Sequence, residues 1–115
     1  MTAEPGISSL LLNHRDWTVV CRILSQCIPE YTVWAFGSRV TGNVKPYSDL
    51  DLVILTEQPL TLQSMASIMD AFDESDLSIR VDVVDWAAAS LSFRELIKQN
   101  YVVIQQGGAA NRQKE

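Results

Sequence analysis

Apolar residues recur along this chain at two different spacings, and segments of the two kinds alternate. Residues 16–28 and 60–76 carry them at every third or fourth position, which predicts amphipathic helices, and residues 86–99 predict one or two more. Short runs rich in β-branched and aromatic side chains predict four strands. These strands cover residues 31–36, 49–56, 78–85 and 101–104. The predicted order is therefore α-β-β-α-β-α-β.

This alternation predicts an α/β (α+β) fold, with one domain over residues 16–104 and a mixed sheet of about four strands flanked by helices. Asp16 is the expected N-cap of the first helix. Residues 39–48 are predicted to form a loop. Residues 1–15 show no sustained period and predict a loose or only partly docked leader, while residues 105–115 hold almost no large apolar group and predict a disordered tail.

The length and the charge balance narrow the possible functions. The chain has 115 residues, with 9 Lys+Arg against 14 Asp+Glu and a formal net charge of −5. A single domain of this size leaves no residues for an accessory substrate-binding domain. Without a block of basic residues, no direct binding to nucleic acid or to an anionic membrane is expected. No stretch approaches the roughly 20 apolar residues of a membrane span.

The two cysteines bear on the compartment. Cys21 and Cys27 stand six residues apart on the first predicted helix and point in different directions, so they cannot bridge each other. This predicts reduced thiols and a cytoplasmic protein.

Two carboxylates are predicted to project from one face of the second strand. Asp49 and Asp51 are two positions apart, so they share a face while Leu50 and Leu52 point to the core. Two like charges held side by side are unfavourable unless a cation lies between them. Paired carboxylates suit a hard divalent ion such as Mg²⁺, whose coordination is completed by water and substrate phosphates. Asp49 and Asp51 are therefore the candidate metal ligands.

A third carboxylate stands in the middle of the otherwise apolar third strand. Asp82 has the opposite parity to Val81 and Val83, so those two residues can enter the core while Asp82 faces away from it. An acid at such a position also needs a cationic partner if it is buried. Asp85 is the alternative, but it has the wrong parity and directly precedes a predicted helix, where an N-cap is the simpler role. Asp82 is the preferred third acid and metal ligand.

A glycine and a serine stand where the first strand gives way to a turn. Gly37 lets the backbone approach a ligand, and the Ser38 hydroxyl with neighbouring N–H groups can point at phosphate oxygens. Arg39 and Lys45 add positive charge nearby, and Ser48 completes the candidate nucleotide-binding set. Each feature alone is a weak signal. Together they indicate a phosphate site beside the paired acids.

The whole pattern resembles the signature of the polymerase-β-type nucleotidyltransferase superfamily. That pattern is Gly37-Ser38, ten intervening residues, Asp49-x-Asp51, and Asp82 on a later strand. The segments WAFGSR, SDLDL and VDVVD resemble, more narrowly, the minimal nucleotidyltransferases (MNT proteins). By that resemblance the Gly-Ser pair handles the nucleotide triphosphate, and the three acids are the catalytic, metal-binding set.

The resemblance also implies a reaction and a partner. The implied reaction is Mg²⁺-dependent transfer of AMP from ATP to an acceptor hydroxyl, with two Mg²⁺ ions and with pyrophosphate as the leaving group. The implied role is that of an antitoxin in a complex with a HEPN-domain toxin, whose tyrosine is the acceptor, and a homodimer stays open. Two other functions also stay open: adenylyl transfer to a small molecule such as an aminoglycoside, and neutralisation of a toxin by occlusion without catalysis.

Overall fold

The structure, a computed structural model, describes residues 10–42, 45 and 48–108. Residues 1–9 of the predicted leader and residues 109–115 of the predicted tail lie outside the described residues.

Within the described residues, the elements follow the predicted order with one addition. They are α1 (His14–Cys27), β1 (Val33–Phe36), α2 (Ser38–Thr41), β2 (Leu50–Ile54), α3 (Leu62–Asp73), β3 (Val81–Asp85), a 3₁₀ helix (Trp86–Ala88), α4 (Leu91–Gln99) and β4 (Tyr101–Gln105). The addition is α2, because a loop was predicted from residue 39 onward. A single turn of four residues is too short to show a helical period in the sequence.

The four strands form one mixed sheet in the order β3-β2-β1-β4. Strand β1 pairs antiparallel with both β2 and β4, whereas β2 and β3 are parallel. A parallel pair needs a crossover connection, and α3 supplies it between β2 and β3. The predicted mixed sheet of four strands with flanking helices is confirmed.

The two faces of the sheet differ in character. One face is fully buried beneath α1 and α3, and it carries apolar side chains from the central strands: Val33, Ala35, Leu50, Leu52 and Ile54. Side chains alternate along a strand, so the intervening positions point to the opposite face, here called the outer face. Trp34, Phe36, Asp51, Asp82 and Tyr101 belong to it. Helix α4 lies over part of this face, with the Phe93 ring edge-on to Phe36 at 5.7 Å.

The start of α1 corrects one prediction. The N-cap is Asn13, whose side-chain oxygen accepts a hydrogen bond from Asp16 N at 2.8 Å, so the helix begins two residues before Asp16. Asp16 is instead 1% exposed, and its carboxylate accepts hydrogen bonds from the N–H of Ser78 at 3.1 Å and from the Ser78 hydroxyl. Because a buried carboxylate needs such donors, Asp16 ties α1 to the segment before β3.

The ends of the described chain are docked against the domain. Leu10 is 6% exposed and belongs to the core, so the described part of the predicted leader is packed. At the other end, the Gln105 side chain donates to the carbonyls of Ile28 and Tyr31, both at 2.9 Å, and Gly107 N donates to a side-chain oxygen before β1. The first residues of the predicted tail are therefore ordered by hydrogen bonds to the chain around residues 28–32.

Two smaller findings concern the thiols and the helices. Cys21 and Cys27 are not joined by a disulfide. No helix in the described part of the chain is both long enough and apolar enough to cross a membrane.

Candidate active site

The acids of the outer face meet across two neighbouring strands. In the parallel pairing of β2 with β3, Asp51 stands directly opposite Asp82. Asp49 lies just before β2 and has the same parity as Asp51. Asp49 and Asp51 are half-buried, whereas Asp82 is exposed. The structure thus brings the three predicted acids to one region, with Asp82 as the most accessible.

Electrostatics show that the three carboxylates act on one another. The pKa of Asp51 is raised from 3.8 to about 6, first by burial and then by the negative charges of Asp82 and Asp49. Burial, together with the two neighbouring charges, therefore brings the pKa of Asp51 closer to neutral pH. A cation placed among the three groups would relieve the repulsion and favour the ionised form of Asp51.

The turn after β1 lies against the same carboxylate. Gly37 has φ 84° and ψ −157°, a conformation that side chains with a Cβ rarely adopt. A Cβ at this position would overlap the Asp51 carboxylate oxygen. The glycine therefore allows the Gly37-Ser38 turn and the Asp51 carboxylate to be in direct contact, which places the predicted phosphate-binding residues next to the predicted metal ligands.

The other predicted nucleotide-binding residues form a connected support before Asp49. Arg39 is buried, and its guanidinium donates to the carbonyl of Ser48 at 3.0 Å and to the carbonyl of Leu11 at 2.8 Å. The Ser48 hydroxyl accepts from Lys45 N at 2.9 Å, and Ser48 N donates to the Lys45 carbonyl at 3.0 Å. Lys45 itself is exposed. The sequence predicts that the charge of Arg39 contacts the nucleotide. In the structure, the Arg39 guanidinium donates hydrogen bonds to two backbone carbonyls.

One contributor to this arrangement was missed. Leu11 N donates to the Arg39 carbonyl at 2.8 Å while the Leu11 carbonyl accepts from the Arg39 side chain, so the two residues are joined in both directions. Both contacts use the Leu11 backbone. Because the Leu11 side chain takes no part in these hydrogen bonds, the residue type at position 11 does not indicate that it holds Arg39.

Asp85, the alternative third acid, is engaged in structural hydrogen bonds. It is buried, caps the 3₁₀ helix through Ala87 N at 3.2 Å, and accepts from Leu60 N at 2.6 Å and from the Thr56 hydroxyl. These contacts join the ends of β2 and β3. The preference for Asp82 over Asp85 agrees with this placement, because Asp82 alone of the two lies on the outer face.

The donor set fits a hard divalent cation that shares its coordination with a ligand. Within residues 10–42, 45 and 48–108, no three His, Cys, Asp or Glu side chains form a ready-made metal-binding group. Mg²⁺ is commonly bound by only one or two carboxylates, with water and substrate phosphates as the remaining ligands. Asp51 and Asp82, opposed in the ladder with Asp49 beside them, would supply those carboxylates.

We expect Arg39→Lys to slow turnover without weakening nucleotide binding. Lysine keeps the positive charge but lacks the planar guanidinium that donates hydrogen bonds to the carbonyls of Ser48 and Leu11 at the same time. Ser48 and the adjacent Asp49 would therefore be held less firmly in position. In steady-state kinetics, kcat should fall about tenfold while KM for the nucleotide changes less than about twofold. The exposed Arg22→Lys on α1 is the matched control. A rise in KM with unchanged kcat would show instead that Arg39 contacts the nucleotide directly.

Comparison of the sequence with known protein families shows the class of protein to which the chain belongs. The sequence matches the family described as polymerase beta, nucleotidyltransferase, over residues 23–107, which include the Gly37-Ser38 turn and all three acids. The match covers most of the chain, and the chain therefore belongs to this nucleotidyltransferase family. The predicted enzyme class is confirmed.

Individual relatives narrow the class further. The chain is 50% identical over 101 residues to the probable protein adenylyltransferase MntA of Haemophilus influenzae, covering 88% of this chain and 89% of the relative. This likeness confirms the predicted membership of the minimal nucleotidyltransferases.

Solved structures with the same fold include two toxin–antitoxin complexes. One is a toxin–antitoxin with AMP-PNP, with a TM-score of 0.66 at 21% identity, covering 84% of this chain and 77% of that chain. The second is a tri-AMPylated HEPN toxin of Shewanella oneidensis in complex with an MNT antitoxin, with a TM-score of 0.61 at 17% identity, covering 88% and 78%. These structures confirm the fold.

Proposed function

We propose that this protein is a Mg²⁺-dependent adenylyltransferase that transfers AMP from ATP to a tyrosine hydroxyl of a HEPN-type toxin and so acts as its antitoxin. The observation that carries the proposal is the juxtaposition of Asp51 with Asp82 in the parallel ladder and of Asp51 with the Gly37-Ser38 turn. Phosphate binding and paired carboxylates at one place are the requirements of nucleotidyl transfer.

The chain's own residues take separate parts in the proposed reaction. The acceptor hydroxyl oxygen attacks the α-phosphorus of ATP, the bond to the β-phosphate oxygen breaks, and pyrophosphate leaves. Gly37 and Ser38 hold the triphosphate beside Asp51, and Arg39 with Ser48 keeps Asp49 in register. Asp82 is the exposed acid, and we assign it to the acceptor side, where it takes the hydroxyl proton. Bound Mg²⁺ would neutralise the charge that develops on the phosphates.

The relatives support a protein as the acceptor. The Haemophilus influenzae relative is named a protein adenylyltransferase, and one structural neighbour is bound to an AMPylated HEPN toxin. The net charge of this chain, −5, is compatible with a basic, RNA-cleaving partner.

Intact-protein mass spectrometry tests the proposal. A HEPN-type protein encoded beside this chain is incubated with it, ATP and Mg²⁺, and an Asp49→Asn chain serves as the control. We expect the HEPN protein to gain the mass of one or more AMP units with the wild-type chain and none with the variant. Peptide mapping should place the added groups on tyrosine.

Two other results would point elsewhere. A HEPN protein that binds this chain but stays unmodified would indicate neutralisation by occlusion. A HEPN protein that neither binds nor is modified would contradict the proposal and move the search to small acceptors such as aminoglycosides.

A further inference from the structure

Asp16 is a buried acid that the proposed reaction does not use. It lies in the first turn of α1 and is almost completely removed from solvent. Its carboxylate accepts hydrogen bonds from the Asn13 side-chain nitrogen at 3.2 Å, from Ser78 N at 3.1 Å and from the Ser78 hydroxyl. A buried carboxylate is unfavourable unless donors surround it, and these contacts supply them. Asp16 therefore fixes Ser78 to the start of α1.

The contact with Ser78 holds the chain just before the strand that carries Asp82. Ser78 lies three residues before β3. Two residues after Ser78, the Arg80 carbonyl accepts a hydrogen bond from Leu50 N at 2.9 Å, at the start of the ladder between β2 and β3. In that ladder, Asp82 stands opposite an acid of β2. The position of Asp82 thus depends on a short segment whose first residue is fixed to α1.

The neighbouring strand β2 is anchored in the same way. The buried Arg39 guanidinium donates to the Ser48 carbonyl at 3.0 Å, two residues before β2, and to the Leu11 carbonyl at 2.8 Å. Leu11 and Asn13, the cap of α1, belong to one short segment of the chain. That segment therefore connects the anchor before β2 with the anchor before β3, at the end of both strands where the acids lie.

The place of β3 in the sheet explains why Asp82 needs an anchor of this kind. Strand β3 lies at an edge of the sheet and is paired on one side only, with β2. Paired carboxylates that share a metal ion must keep their spacing, because Mg²⁺ demands near-ideal octahedral geometry. A misplacement of about 1 Å can cost roughly a hundredfold in rate. An acid on an edge strand therefore gains precision from a contact outside the sheet.

We propose that Asp16 and Ser78 are positioning residues that hold Asp82 in register with Asp51. This inference rests on the proposed function, because it assigns the contacts that keep the acceptor-side acid of that reaction in place. Asp16 is buried and acts through the chain from residue 78 to residue 82 rather than by contact with a substrate. Losing its contact with Ser78 should slow the chemical step and leave nucleotide binding, at the turn after β1, unchanged.

Ser78→Ala tests this role with a variant that should fold, because Ser78 is exposed and loses a single hydroxyl. With the HEPN-type protein as acceptor, kcat should fall about tenfold while KM for the nucleotide changes less than about twofold. Ser78→Thr keeps the hydroxyl and should restore most of kcat. Asp16→Asn replaces the oxygen that accepts from Asn13 and from the Ser78 hydroxyl, so it should show the same split between kcat and KM.

Thr61→Ala controls for the loss of a hydroxyl hydrogen bond elsewhere in the fold. The Thr61 hydroxyl accepts from Ser64 N at 3.0 Å at the start of α3, beyond the other end of β2. Its removal should lower stability, as the loss of an N-cap does, and leave kcat unchanged. If kcat instead fell in step with stability for both Ser78→Ala and Thr61→Ala, Ser78 would support the fold without positioning Asp82.

Hydrogen exchange at two backbone amides measures the positioning without any catalysis. Leu50 N donates to the Arg80 carbonyl at the end of β2 near the acids, at 2.9 Å. Leu55 N donates to the Thr32 carbonyl just beyond the other end of β2, also at 2.9 Å. In Ser78→Ala, the exchange rate of the Leu50 amide relative to that of the Leu55 amide should rise about tenfold over the wild type. The control variant should not raise this ratio.

Because the exchange measurement needs no AMP transfer, the two proposals can fail separately. If the wild-type chain transfers no AMP and Ser78→Ala still raises the exchange ratio, the proposed function fails and the positioning of Asp82 stands. An unchanged exchange ratio would overturn the positioning role. A raised ratio with the kcat of the wild type would also overturn it, because the reaction would then tolerate the loss of this anchor.

Discussion

Replacing Asp51 by Asn is expected to abolish AMP transfer and, at neutral pH, to stabilise the fold. Transfer should fall on the order of 10³-fold or more, because the variant loses the carboxylate that lies against both Asp82 and the Gly37 turn. Stability should rise because the Asp51 carboxylate is half-buried and is also held beside two other negative charges. The shift of its pKa from 3.8 to about 6 corresponds to roughly 1 kcal/mol once solvent screening of this half-buried group is allowed for.

The sign of the pH dependence follows from the raised pKa of Asp51. Between pH values of about 4 and 6, the folded protein still binds the Asp51 proton while the unfolded chain has released it. The free energy of unfolding contributed by this group therefore falls as pH rises through that window, and it is constant above it. The Asn side chain does not titrate, so Asp51→Asn does not lose unfolding free energy in this window. The variant should be more stable than the wild type at pH 7 and equal to it near pH 4.

Thermal unfolding at several pH values measures this effect, with exposed Asp73→Asn as the matched control. Added Mg²⁺ should raise the Tm of the wild type at pH 7 and leave Asp51→Asn almost unchanged, because the cation relieves the same repulsion. If Asp51→Asn were less stable than the wild type at pH 7, the ionised Asp51 carboxylate would stabilise the fold instead of destabilising it.

Gly37→Ala is expected to impair both folding and activity. The backbone at φ 84° and ψ −157° is strained for alanine, and the new methyl group must displace the Asp51 carboxylate. We expect a loss of about 2–3 kcal/mol in the free energy of unfolding and a fall of about 10²-fold in transfer. Chemical denaturation and steady-state kinetics measure the two losses.

Gly42 provides the matched control for strain alone. It caps α2 at φ 99°, and a Cβ there would meet no atom within 4 Å. Gly42→Ala should lose about 1 kcal/mol of stability and keep most of the activity.

A second control removes the carboxylate that the new methyl group would meet. In an Asp51→Ala background, Gly37→Ala should lose less stability than in the wild type, because the colliding carboxylate is absent. Equal losses from Gly37→Ala in both backgrounds would mean that the contact with Asp51 is not the cause.

The strand parity of the acids was readable from the sequence because it depends on a strict period. Alternation along β2 placed Asp51 opposite to the core, and alternation along β3 separated Asp82 from Asp85. The register that sets Asp51 against Asp82 was not readable, because the two strands are separated in the chain by α3 and alternation within each strand does not say which residues pair. Their roles as metal ligands remain a prediction.

Hydrogen bonds between distant parts of the chain account for one wrong prediction and for contacts that the sequence does not reveal. Asn13 and Asp16 are both good N-cap residues, and only the burial of Asp16 against Ser78, far along the chain, decides between them. Arg39 has the charge expected of a phosphate contact, which stays a prediction, and its guanidinium also donates to two backbone carbonyls. Carbonyls are present at every residue, so sequence patterns do not reveal which of them converge.

The placement of the parallel pair at one edge of the sheet determines when the site is complete during synthesis. Strands β1 and β2 leave the ribosome first, and both of their outer edges stay unpaired until residues beyond 80 have emerged. Strand β3 then closes one edge and delivers Asp82, and β4 closes the other. A nascent chain interrupted before β3 carries the Gly37 turn and two acids without the third. The complete set of three acids therefore forms only in a chain that has nearly finished folding.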